Sequence, residues 1–183
     1  MLKLLSARSD MDLWNAASRN NREAFSLMFQ RHYSFLYQYG RKICPDCQTI
    51  EDCIQELFTD IWQRKPHQQV HSVRAYLLQA LKFKIYKVYR SQKRLLYIED
   101  KYGPFEVSCE NFVVDQDENL EKTQKVLGAI NSLPARQKEV IYLKIYKGLS
   151  YEEVSEVMQI NYQAVRNLLC HALKSFRKLA ASA

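Results

Sequence analysis

Three groups of side chains in this sequence have residue types and spacings that suit the binding of other molecules. The first group lies on a segment with a helical pattern that starts at residue 162. Arg, Asn and Gln near the start of such a helix can form paired hydrogen bonds to guanine or adenine edges, and later cations suit phosphates. The residues predicted to read DNA are Tyr162, Gln163, Arg166, Asn167, His171 and Lys174.

This segment is predicted to be the second helix of a helix-turn-helix over residues 150–179. Ser150 and Glu153 match a capping box, Gly148 can end the preceding helix in a left-handed conformation, and Asn161 can cap the following helix. An ordinary amphipathic helix with a solvated basic face is the alternative, but the agreement of cap, turn and residue types favours DNA binding. The residues expected on its core side are Val165, Leu168, Leu169, Ala172, Phe176 and Leu179.

The second group lies on the predicted helix 51–64, whose surface is divided between apolar and polar residues. Its apolar side carries Ile54, Leu57, Phe58, Ile61 and Trp62. Its polar side carries Asp52, Gln55, Glu56, Thr59, Asp60 and Gln63. An acidic face suits a basic protein surface better than it suits DNA. A plain solvated face is the alternative interpretation of the same pattern.

The third group lies on the predicted helix 72–94, which places aromatic rings among cations. Its apolar side carries Leu77, Leu78, Leu81, Ile85, Val88 and Tyr89. Its opposite side carries Gln79, Lys82, Phe83, Tyr86, Lys87 and Arg90. Single-stranded DNA is bound by such surfaces, because cations follow the backbone and rings stack on unpaired bases. The alternative is that Phe83 and Tyr86 pack on a neighbouring helix.

The elements that must position these groups are predicted to be helices throughout. The 183 residues include only four Gly and four Pro, and apolar residues recur with a helical period in many segments. Asp10 is predicted to cap a first helix, and Asn20 with Glu23 to cap a second helix that buries His32 in the core. The apolar positions of the helix before Gly148 are Val140, Ile141, Leu143 and Ile145.

The charge of the chain changes sign twice and divides it into three parts. The net charge of +7 is made of +8 over residues 1–95, −6 over 96–120 and +5 over 121–183. Gly103, Pro104 and the lack of a sustained period mark the acidic part as a linker. We therefore predict an all-α protein of two small helical domains joined by an acidic linker, with the helix-turn-helix in the C-terminal one. Two basic blocks suggest two nucleic-acid-binding modules.

Cys44 and Cys47 form a CxxC motif that, together with Cys53, could hold zinc or carry out redox chemistry. A zinc site needs a second ligand pair, and a thioredoxin-like motif needs a βαβ setting, and the sequence shows neither. A connection between helices that contains reduced cysteines is favoured instead. A metal or thiol-redox protein stays open as an alternative that a metal assay would test.

Other classes of protein are disfavoured by what the sequence lacks. No Gly-rich phosphate loop and no nucleophile with an adjacent base supports an enzyme, and no metal or cofactor is expected. No run of 18 or more apolar residues is present, and the first eight residues do not have the form of a signal peptide. The protein is therefore expected to act in the cytoplasm without membrane insertion.

From about Leu13 to Lys178 the chain resembles the extracytoplasmic-function group of the sigma-70 family of bacterial transcription initiation factors. The spacing of Asp52, Gln55, Glu56, Phe58 and Trp62 is similar to the family's core-polymerase-binding motif. Residues 133–178 resemble the family's promoter-recognising helix-turn-helix nearly end to end. The Tyr-Gln-x-Val-Arg-Asn-Leu-Leu pattern from residue 162 is similar to a subgroup found in Bacteroides-type bacteria.

The resemblance implies a sigma factor, not itself an enzyme, that binds core RNA polymerase, directs it to promoters and assists their melting. Residues implied to bind the clamp helices of the largest polymerase subunit are Asp52, Gln55, Glu56, Phe58, Thr59 and Trp62. Residues implied to hold the melted minus-ten element are Gln79, Lys82, Phe83, Tyr86, Lys87 and Arg90. The helix from Tyr162 would bind the minus-thirty-five element, and its domain the flap of the second-largest subunit. The linker would thread the polymerase interior, and an anti-sigma factor is a further implied partner.

The sequence departs from the family at positions that contact DNA. Phe83 and Lys87 stand where many members carry Asn and Asp, and Leu168 replaces a common basic residue, so the promoter bases cannot be carried over. Arg166 and Asn167 must then do more of the base reading. The main alternative is a stand-alone helix-turn-helix regulator that binds duplex DNA as a dimer. That alternative gives no role to the acidic face of helix 51–64 or to the exposed rings.

Overall fold

The computed structural model describes residues 8–64, 70–92, 105–106 and 120–182, and these ranges contain helices and no strand. The chain forms two compact units, Met1–Tyr97 and Ile98–Ala183. The predicted all-α class is confirmed. The helices of the first unit are α1 Asp10–Ser18, α2 Arg22–Ile43, α3 Cys47–Arg64 and α4 Val73–Gln92. Those of the second are α5 Leu120–Asn131, α6 Ala135–Ile141 with a π-helical turn over Tyr142–Tyr146, α7 Tyr151–Met158 and α8 Tyr162–Ser182.

The core of the first unit forms where α2 packs against α1, α3 and α4. Each of these helices buries one apolar stripe, as the sequence pattern predicted. The α2 stripe includes Leu36 and Tyr39, which are fully buried. The α4 stripe is buried at Leu77, Leu78, Leu81 and Ile85, whereas Val88 and Tyr89 are half-buried near the end of the helix. Burial of one side of each helix leaves the other side directed toward solvent.

The N-caps of the first two helices each lie one residue away from the predicted position. Ser9, not Asp10, is the N-cap of α1, and its hydroxyl accepts a hydrogen bond from the Asp12 backbone N–H. Asn21, not Asn20, is the N-cap of α2, and its side chain accepts from the backbone N–H of Ala24 at 2.9 Å. At α2 the reason is that Asn20 has a φ of 65°, a left-handed conformation that turns the chain. The next residue, Asn21, is extended, and its side chain therefore reaches a free backbone N–H group of the first turn.

The first unit contains His32 and three of the cysteines, and all of these side chains except Cys47 are buried. His32 is buried, as predicted, with Nε2 3.4 Å from Oδ2 of Asp10, and burial lowers its pKa. Cys44 and Cys53 are buried and Cys47 is exposed, and all three are free thiols. Burial raises the pKa of the Cys53 thiol to about 11. Across the described ranges, no three His, Cys, Asp or Glu side chains come together as a group that could hold a metal ion.

The helix-turn-helix of the second unit has the caps that the sequence predicted. Ser150 and Glu153 form a reciprocal capping box, with hydrogen bonds of 2.7 and 3.1 Å. Gly148 has a φ of +66°, a conformation that glycine adopts without a steric penalty. The Asn161 side chain accepts a hydrogen bond of 2.7 Å from the Ala164 backbone N–H. Gly148 and the capping box define the start of α7, and the Asn161 cap defines the start of α8.

The packed side of α8 differs from the predicted stripe toward its end. Val165, Leu169 and Ala172 are buried, but Leu168 and Phe176 are half-buried and Leu179 is 37% exposed. The prediction that Leu179 lies in the core is wrong, because α8 continues to Ser182, past the part of the helix that the rest of the unit covers. A periodic pattern alone does not show where the covering elements stop.

A π-helical turn at Tyr142–Tyr146 was not predicted and changes which residues face the core. Its backbone bond from Lys147 N–H to Tyr142 C=O closes over five residues instead of four. Tyr142 is therefore fully buried, whereas Ile145, predicted as an apolar core position, is 57% exposed. Burial raises the pKa of the Tyr142 phenol above its ordinary value.

No helix among the described residues combines the length and the low polarity that a membrane crossing requires.

Gly40→Ala is expected to lower the free energy of unfolding of the first unit by about 1 to 3 kcal/mol. A Cβ at Gly40 would lie 2.6 Å from Cγ2 of Ile50, so α2 and α3 could not keep their present separation. Trp14 and Trp62 are the two tryptophans of the chain and both lie in the first unit. Denaturant unfolding followed by tryptophan fluorescence therefore measures this unit separately.

Gly128→Ala on α5 is the matched control, because a Cβ there would meet no atom within 4 Å. It should leave the tryptophan transition unchanged and stabilise the second unit by up to about 1 kcal/mol, measured by circular dichroism. Equal stability of wild type and Gly40→Ala would show that the α2–α3 contact is not close packed.

Candidate nucleic-acid interface

The outward face of α8 carries all six of the residues predicted to read DNA. The structure leaves every one of these side chains exposed: Tyr162, Gln163, Arg166, Asn167, His171 and Lys174. Gln163 donates a 3.0 Å hydrogen bond to the Asn167 side chain, and the Arg166 guanidinium lies 6.0 Å from the centre of the Tyr162 ring. The arrangement presents amide and guanidinium groups side by side near the start of the helix, which is where base edges are contacted in a major groove.

This face is held outward by the packing of α8 on α6 and α7. Buried Val165 and Ala172 lie on the inner side, and the Ser150 capping box fixes the start of α7. The Tyr151 and Tyr162 rings, 5.5 Å apart between centroids, add a contact between the first residues of α7 and α8. The orientation of the reading face thus follows from local caps and a short apolar stripe.

The outer face of α4 carries an aromatic ring in an unusual position. Phe83 is 68% exposed, the largest exposure of any large hydrophobic side chain among those described. Lys87 and Arg90 are exposed beside it, and Lys82 Nζ lies 5.9 Å from the centre of the half-buried Tyr86 ring. Gln79, the sixth predicted residue, is also half-buried. The alternative that Phe83 packs against a neighbouring helix does not hold within the described part of the first unit.

The polar face of α3 is exposed at five of its six predicted positions, which include Gln63, and only Asp60 is half-buried. Asp52, Gln55, Glu56 and Thr59 all reach solvent, and they form a patch with two carboxylates. The Asp52 carboxylate accepts a 3.0 Å hydrogen bond from the Gln48 side chain, and the Thr59 hydroxyl donates to the Gln55 backbone carbonyl. These side chains are available to a partner with basic and hydrogen-bonding groups.

Phe58 and Trp62, which were placed in the same predicted binding set, face the other way. Phe58 is 3% exposed, with its ring centroid 4.9 Å from that of Phe29, and the Trp62 ring lies 4.9 Å from that of Phe25. The partner contact of Phe58 stays a prediction, and in the first unit its ring fills the α2–α3 contact. Half-buried Trp62 takes part in the same aromatic cluster. The spacing of Phe58 and Trp62 in the motif thus puts both rings on the side of α3 that packs against α2.

Lys84 is a functional candidate that sequence reasoning missed. It lies on the cationic helix α4, but its Nζ is 2.7 Å from Asp60 Oδ2 and 3.2 Å from Glu56 Oε1 on α3. Its side chain is 13% exposed. Burial alone would lower the pKa of Lys84, but the hydrogen bonds to the two carboxylates outweigh burial and raise it. The hydrogen bond from Lys84 lowers the pKa of Asp60.

This ion cluster joins the acidic face of α3 to the aromatic and cationic face of α4. Glu56 belongs to the exposed patch on α3, and Lys84 lies one residue after Phe83. A signal was present in the sequence, since Asp60 and Glu56 are like charges one helical turn apart and repel each other unless a cation lies beside them. Only the packing of the two helices shows that Lys84 is the cation that meets them.

An apolar groove of about 330 Å³ lies on the second unit beside the π-helical turn. Ile145 and Tyr146 are exposed at this groove. Sequence reasoning did not find it, because the π turn displaces these side chains from a regular helical pattern. The other lining residues are Ile130, Lys138, Ile141, Tyr142, Leu173 and Phe176.

Comparison with known families finds two matches, one in each unit. The family described as Sigma-70 region 2 matches residues 28–95, and the family described as Sigma-70, region 4 matches residues 123–176. The first range contains the faces of α3 and α4, and the second contains the groove and the reading face of α8. The two matched ranges are parts of one family and together span most of the chain.

Named relatives match nearly the full length of the chain at low identity. The ECF RNA polymerase sigma factor SigK of Mycolicibacterium vanbaalenii is 24% identical over 180 residues, covering 97% of this chain and 91% of that protein. The SigK protein of Mycobacterium tuberculosis H37Ra is 24% identical over 173 residues, covering 92% of each. These relatives come from mycobacteria.

Solved structures share the fold. CnrH, in complex with the cytosolic domain of CnrY, has a TM-score of 0.64 at 20% identity and covers 94% of this chain and 97% of its own. RpoE from Bartonella quintana, in complex with the anti-sigma factor NepR, has a TM-score of 0.58 at 19% identity and covers 85% and 95%.

Lys84→Met is expected to lower the free energy of unfolding of the first unit by about 1 to 3 kcal/mol at pH 7, because it removes charged hydrogen bonds to Asp60 and Glu56. Lys84 holds the pKa of Asp60 below its ordinary value, so this stabilisation is present above about pH 4 and is lost as the pH falls through the lowered value. The free energies of unfolding of wild type and variant should therefore converge once the pH is below the lowered pKa of Asp60. Unfolding curves followed by tryptophan fluorescence measure this.

Arg90→Met removes an exposed cation from the same helix and is the control. It should change stability by less than about 0.5 kcal/mol at any of these pH values. A Lys84→Met protein as stable as Arg90→Met at pH 7 would contradict a stabilising ion cluster.

Proposed function

The chain belongs to the sigma-70 family of RNA polymerase sigma factors, and from that premise we propose how its two units divide the work of promoter recognition. It is an alternative sigma factor of the extracytoplasmic-function group, which directs RNA polymerase in transcription initiation. We infer that it acts by binding alone and is not an enzyme. In this proposal residues 1–95 form the region 2 domain, 96–120 the linker and 121–183 the region 4 domain.

The exposed polar patch of α3 is proposed to bind the clamp helices of the largest polymerase subunit. Asp52, Gln55, Glu56 and Thr59 supply carboxylates, an amide and a hydroxyl on one helix face. Such a surface complements a basic partner and increases the rate of encounter with it. Phe58 and Trp62 support this contact indirectly, because their burial sets the orientation of the helix.

The outer face of α4 is proposed to hold the melted minus-ten element, and the exposure of Phe83 is the observation that carries this proposal. Opening a duplex costs roughly 0.6 to 2.2 kcal/mol per base-pair step in lost stacking. A ring that is 68% exposed beside Lys87 and Arg90 can stack on an unpaired base, which recovers about 1 to 3 kcal/mol. A stand-alone duplex-binding regulator has no use for such a ring.

The face of α8 is proposed to read the minus-thirty-five element as duplex DNA. Arg166 and Asn167 are assigned to base edges, and His171 and Lys174, further along the helix, to the phosphate backbone. The acidic patch and the exposed aromatic lie in the other unit, so each unit meets a different form of the promoter.

We propose the flap of the second-largest subunit as the partner of the apolar groove beside Ile145.

Further proposals concern the regulation, the location and the subgroup of the protein and the path of its acidic segment. An anti-sigma factor is proposed as a regulatory partner, since CnrH and RpoE were solved in complexes with CnrY and with the anti-sigma factor NepR. The cytoplasm is the proposed site of action, since core polymerase and DNA are there. The Bacteroides-like subgroup stays a prediction from the Tyr162 pattern. The acidic segment over 96–120, proposed to thread the polymerase, lies outside the described residues except at 105–106 and 120.

The test of this function is transcription with the purified chain, core RNA polymerase and a genomic promoter library, followed by sequencing of transcript starts. A shared set of starts with common upstream elements, absent with core alone, is the expected result. Duplex binding as a dimer with no effect on core polymerase would support the stand-alone regulator instead.

Replacing both Phe83 and Tyr86 by Ala should reduce formation of the open complex at least about tenfold, through lost stacking on unpaired bases. Closed-complex affinity should change much less, because the duplex offers no free base faces. Permanganate footprinting of unpaired thymines measures opening, and gel shift at low temperature measures closed-complex binding.

The ring-retaining pair Phe83→Tyr with Tyr86→Phe is the matched control and should open promoters at close to the wild-type level. A loss of the same size in open and closed complexes would contradict the stacking role.

Arg166→Ala should relax base preference within the minus-thirty-five element, with a loss of about 1 to 3 kcal/mol in discrimination at one position. Lys174→Ala should weaken binding to all sequences alike and reduce the salt slope by about 1. A library of minus-thirty-five sequences, selected at two salt concentrations, distinguishes the two effects. The same sequence profile for wild type and Arg166→Ala would contradict the assignment of base reading to this face of α8.

A further inference from the structure

The acidic face of α3 contains a carboxylate whose orientation depends on another helix. Asp52, Glu56 and Asp60 follow one another at intervals of one helical turn, so three like charges repel along the helix. The Glu56 side chain is 60% exposed, and an exposed glutamate with no neighbour to hold it adopts many rotamers. Glu56 therefore keeps one orientation only if a cation lies beside it.

Lys84 supplies that cation from α4. Its Nζ lies 2.7 Å from Oδ2 of Asp60 and 3.2 Å from Oε1 of Glu56, and its side chain is only 13% exposed. Burial lowers the pKa of Lys84, but the hydrogen bonds to the two carboxylates outweigh burial and raise the pKa above its ordinary value. An ammonium group has three N–H donors, so it can bind both carboxylates at once. Lys84 is thus a charged, nearly buried link between the two acidic side chains.

The two carboxylates depend on Lys84 to different degrees. Asp60 has a second cation, because the Arg64 guanidinium lies 3.4 Å from its Oδ1 on the same helix. Within the described part of the chain, Lys84 is the only cation paired with Glu56. That pair uses Oε1, and Oε2 of Glu56 makes no hydrogen bond to any described residue. Loss of Lys84 would therefore release Glu56 but leave Asp60 with Arg64.

We propose that Lys84 is a positioning residue for polymerase binding, which holds Oε1 of Glu56 so that Oε2 is presented to a basic group of core RNA polymerase. The inference rests on the proposed function, in which the α3 patch binds the polymerase. A side chain that is fixed before binding loses less rotamer freedom on association. The core-binding motif in the sequence spans residues 52–62, so Lys84 contributes to this surface from outside it.

This role has a kinetic consequence that a change of charge alone does not have. Replacing Lys84 by Met makes the acidic patch more negative, and encounter with a basic partner should then be as fast as in wild type or faster. The released Glu56 forms a weaker contact after encounter, so the complex should dissociate sooner. Charge thus acts on the association rate, and positioning acts on the dissociation rate.

The experiment measures both rates for the full chain and core RNA polymerase. Dissociation is followed as the release of fluorescently labelled chain after an excess of unlabelled chain is added, and association is followed on mixing. Lys84→Met should raise the dissociation rate about two- to tenfold, which corresponds to the freedom of one flexible side chain. Its association rate should not fall.

Arg64→Met is the matched control. It removes the other cation from Asp60 and changes the net charge by the same amount, but Arg64 is 79% exposed and pairs with Asp60 instead of Glu56. The dissociation rate of this variant should equal that of wild type. Equal increases for Arg64→Met and Lys84→Met would overturn the proposal, because the effect would then follow charge and not the orientation of Glu56.

A double-mutant cycle with Glu56→Ala separates positioning from a general loss of α3–α4 packing. Glu56→Ala should itself raise the dissociation rate. Adding Lys84→Met to it should have much less effect than in wild type, because the side chain through which Lys84 acts is absent. Disturbed packing would instead raise the rate by the same factor in both backgrounds, and that result would overturn the proposal.

An unchanged dissociation rate for Lys84→Met would also overturn the proposal. If Lys84→Met does not fold, as judged by circular dichroism, Lys84→Gln takes its place in the same cycle, with the same expected results. If the wild-type chain binds core polymerase and directs transcript starts but the cycle fails, the sigma function stands and this inference falls. An absence of binding between the wild-type chain and core polymerase would overturn both.

Discussion

Each helix face that we propose to bind DNA or protein is directed toward solvent because the opposite side of the same helix is buried. In α8 the inner side is held by Val165 and Ala172, so Arg166 and Asn167 are left in solvent. In α4 the inner side is fully buried at Leu81 and Ile85, and Phe83 points away from them. A helix of a small domain has one apolar stripe to bury, and this constraint decides which residues can meet DNA or protein. The chemistry of the faces is thus a consequence of core packing.

The ion cluster of Lys84 with Asp60 and Glu56 adds directional contacts to the apolar packing of the first unit. Apolar contacts between α3 and α4 are non-directional, whereas hydrogen bonds of 2.7 and 3.2 Å restrict the rotation of one helix against the other. One face of this helix pair is acidic and the other carries the exposed ring. Through this cluster, Glu56 on α3 is joined to the helix that presents Phe83. The link is electrostatic, and it is strongest where the side chains are least solvated.

The second unit depends on a local departure from regular helix geometry. The π-helical turn buries Tyr142 and exposes Ile145, and this one change creates both the apolar groove and the surface that receives Phe105. A segment that composition marks only as an acidic linker thereby contributes a buried ring to this unit. Charge and the lack of periodicity predicted a linker over this segment, but they could not show that one aromatic side chain within it is buried.

The sequence by itself determined the helical class, the capping box at Ser150 and Glu153, the cap at Asn161 and the exposed residues of α8. These features depend on neighbours a few positions apart, and hydrogen-bonding side chains and apolar spacing record such neighbours directly. Only the tertiary structure decided that Lys84 turns to α3, that Leu179 is exposed and that Phe105 is buried. Each of these outcomes depends on residues distant in sequence, which helix packing brings together, or on where a covering element stops. Periodicity assigns a residue to one side of its helix, but contacts with the other elements decide whether that side is covered.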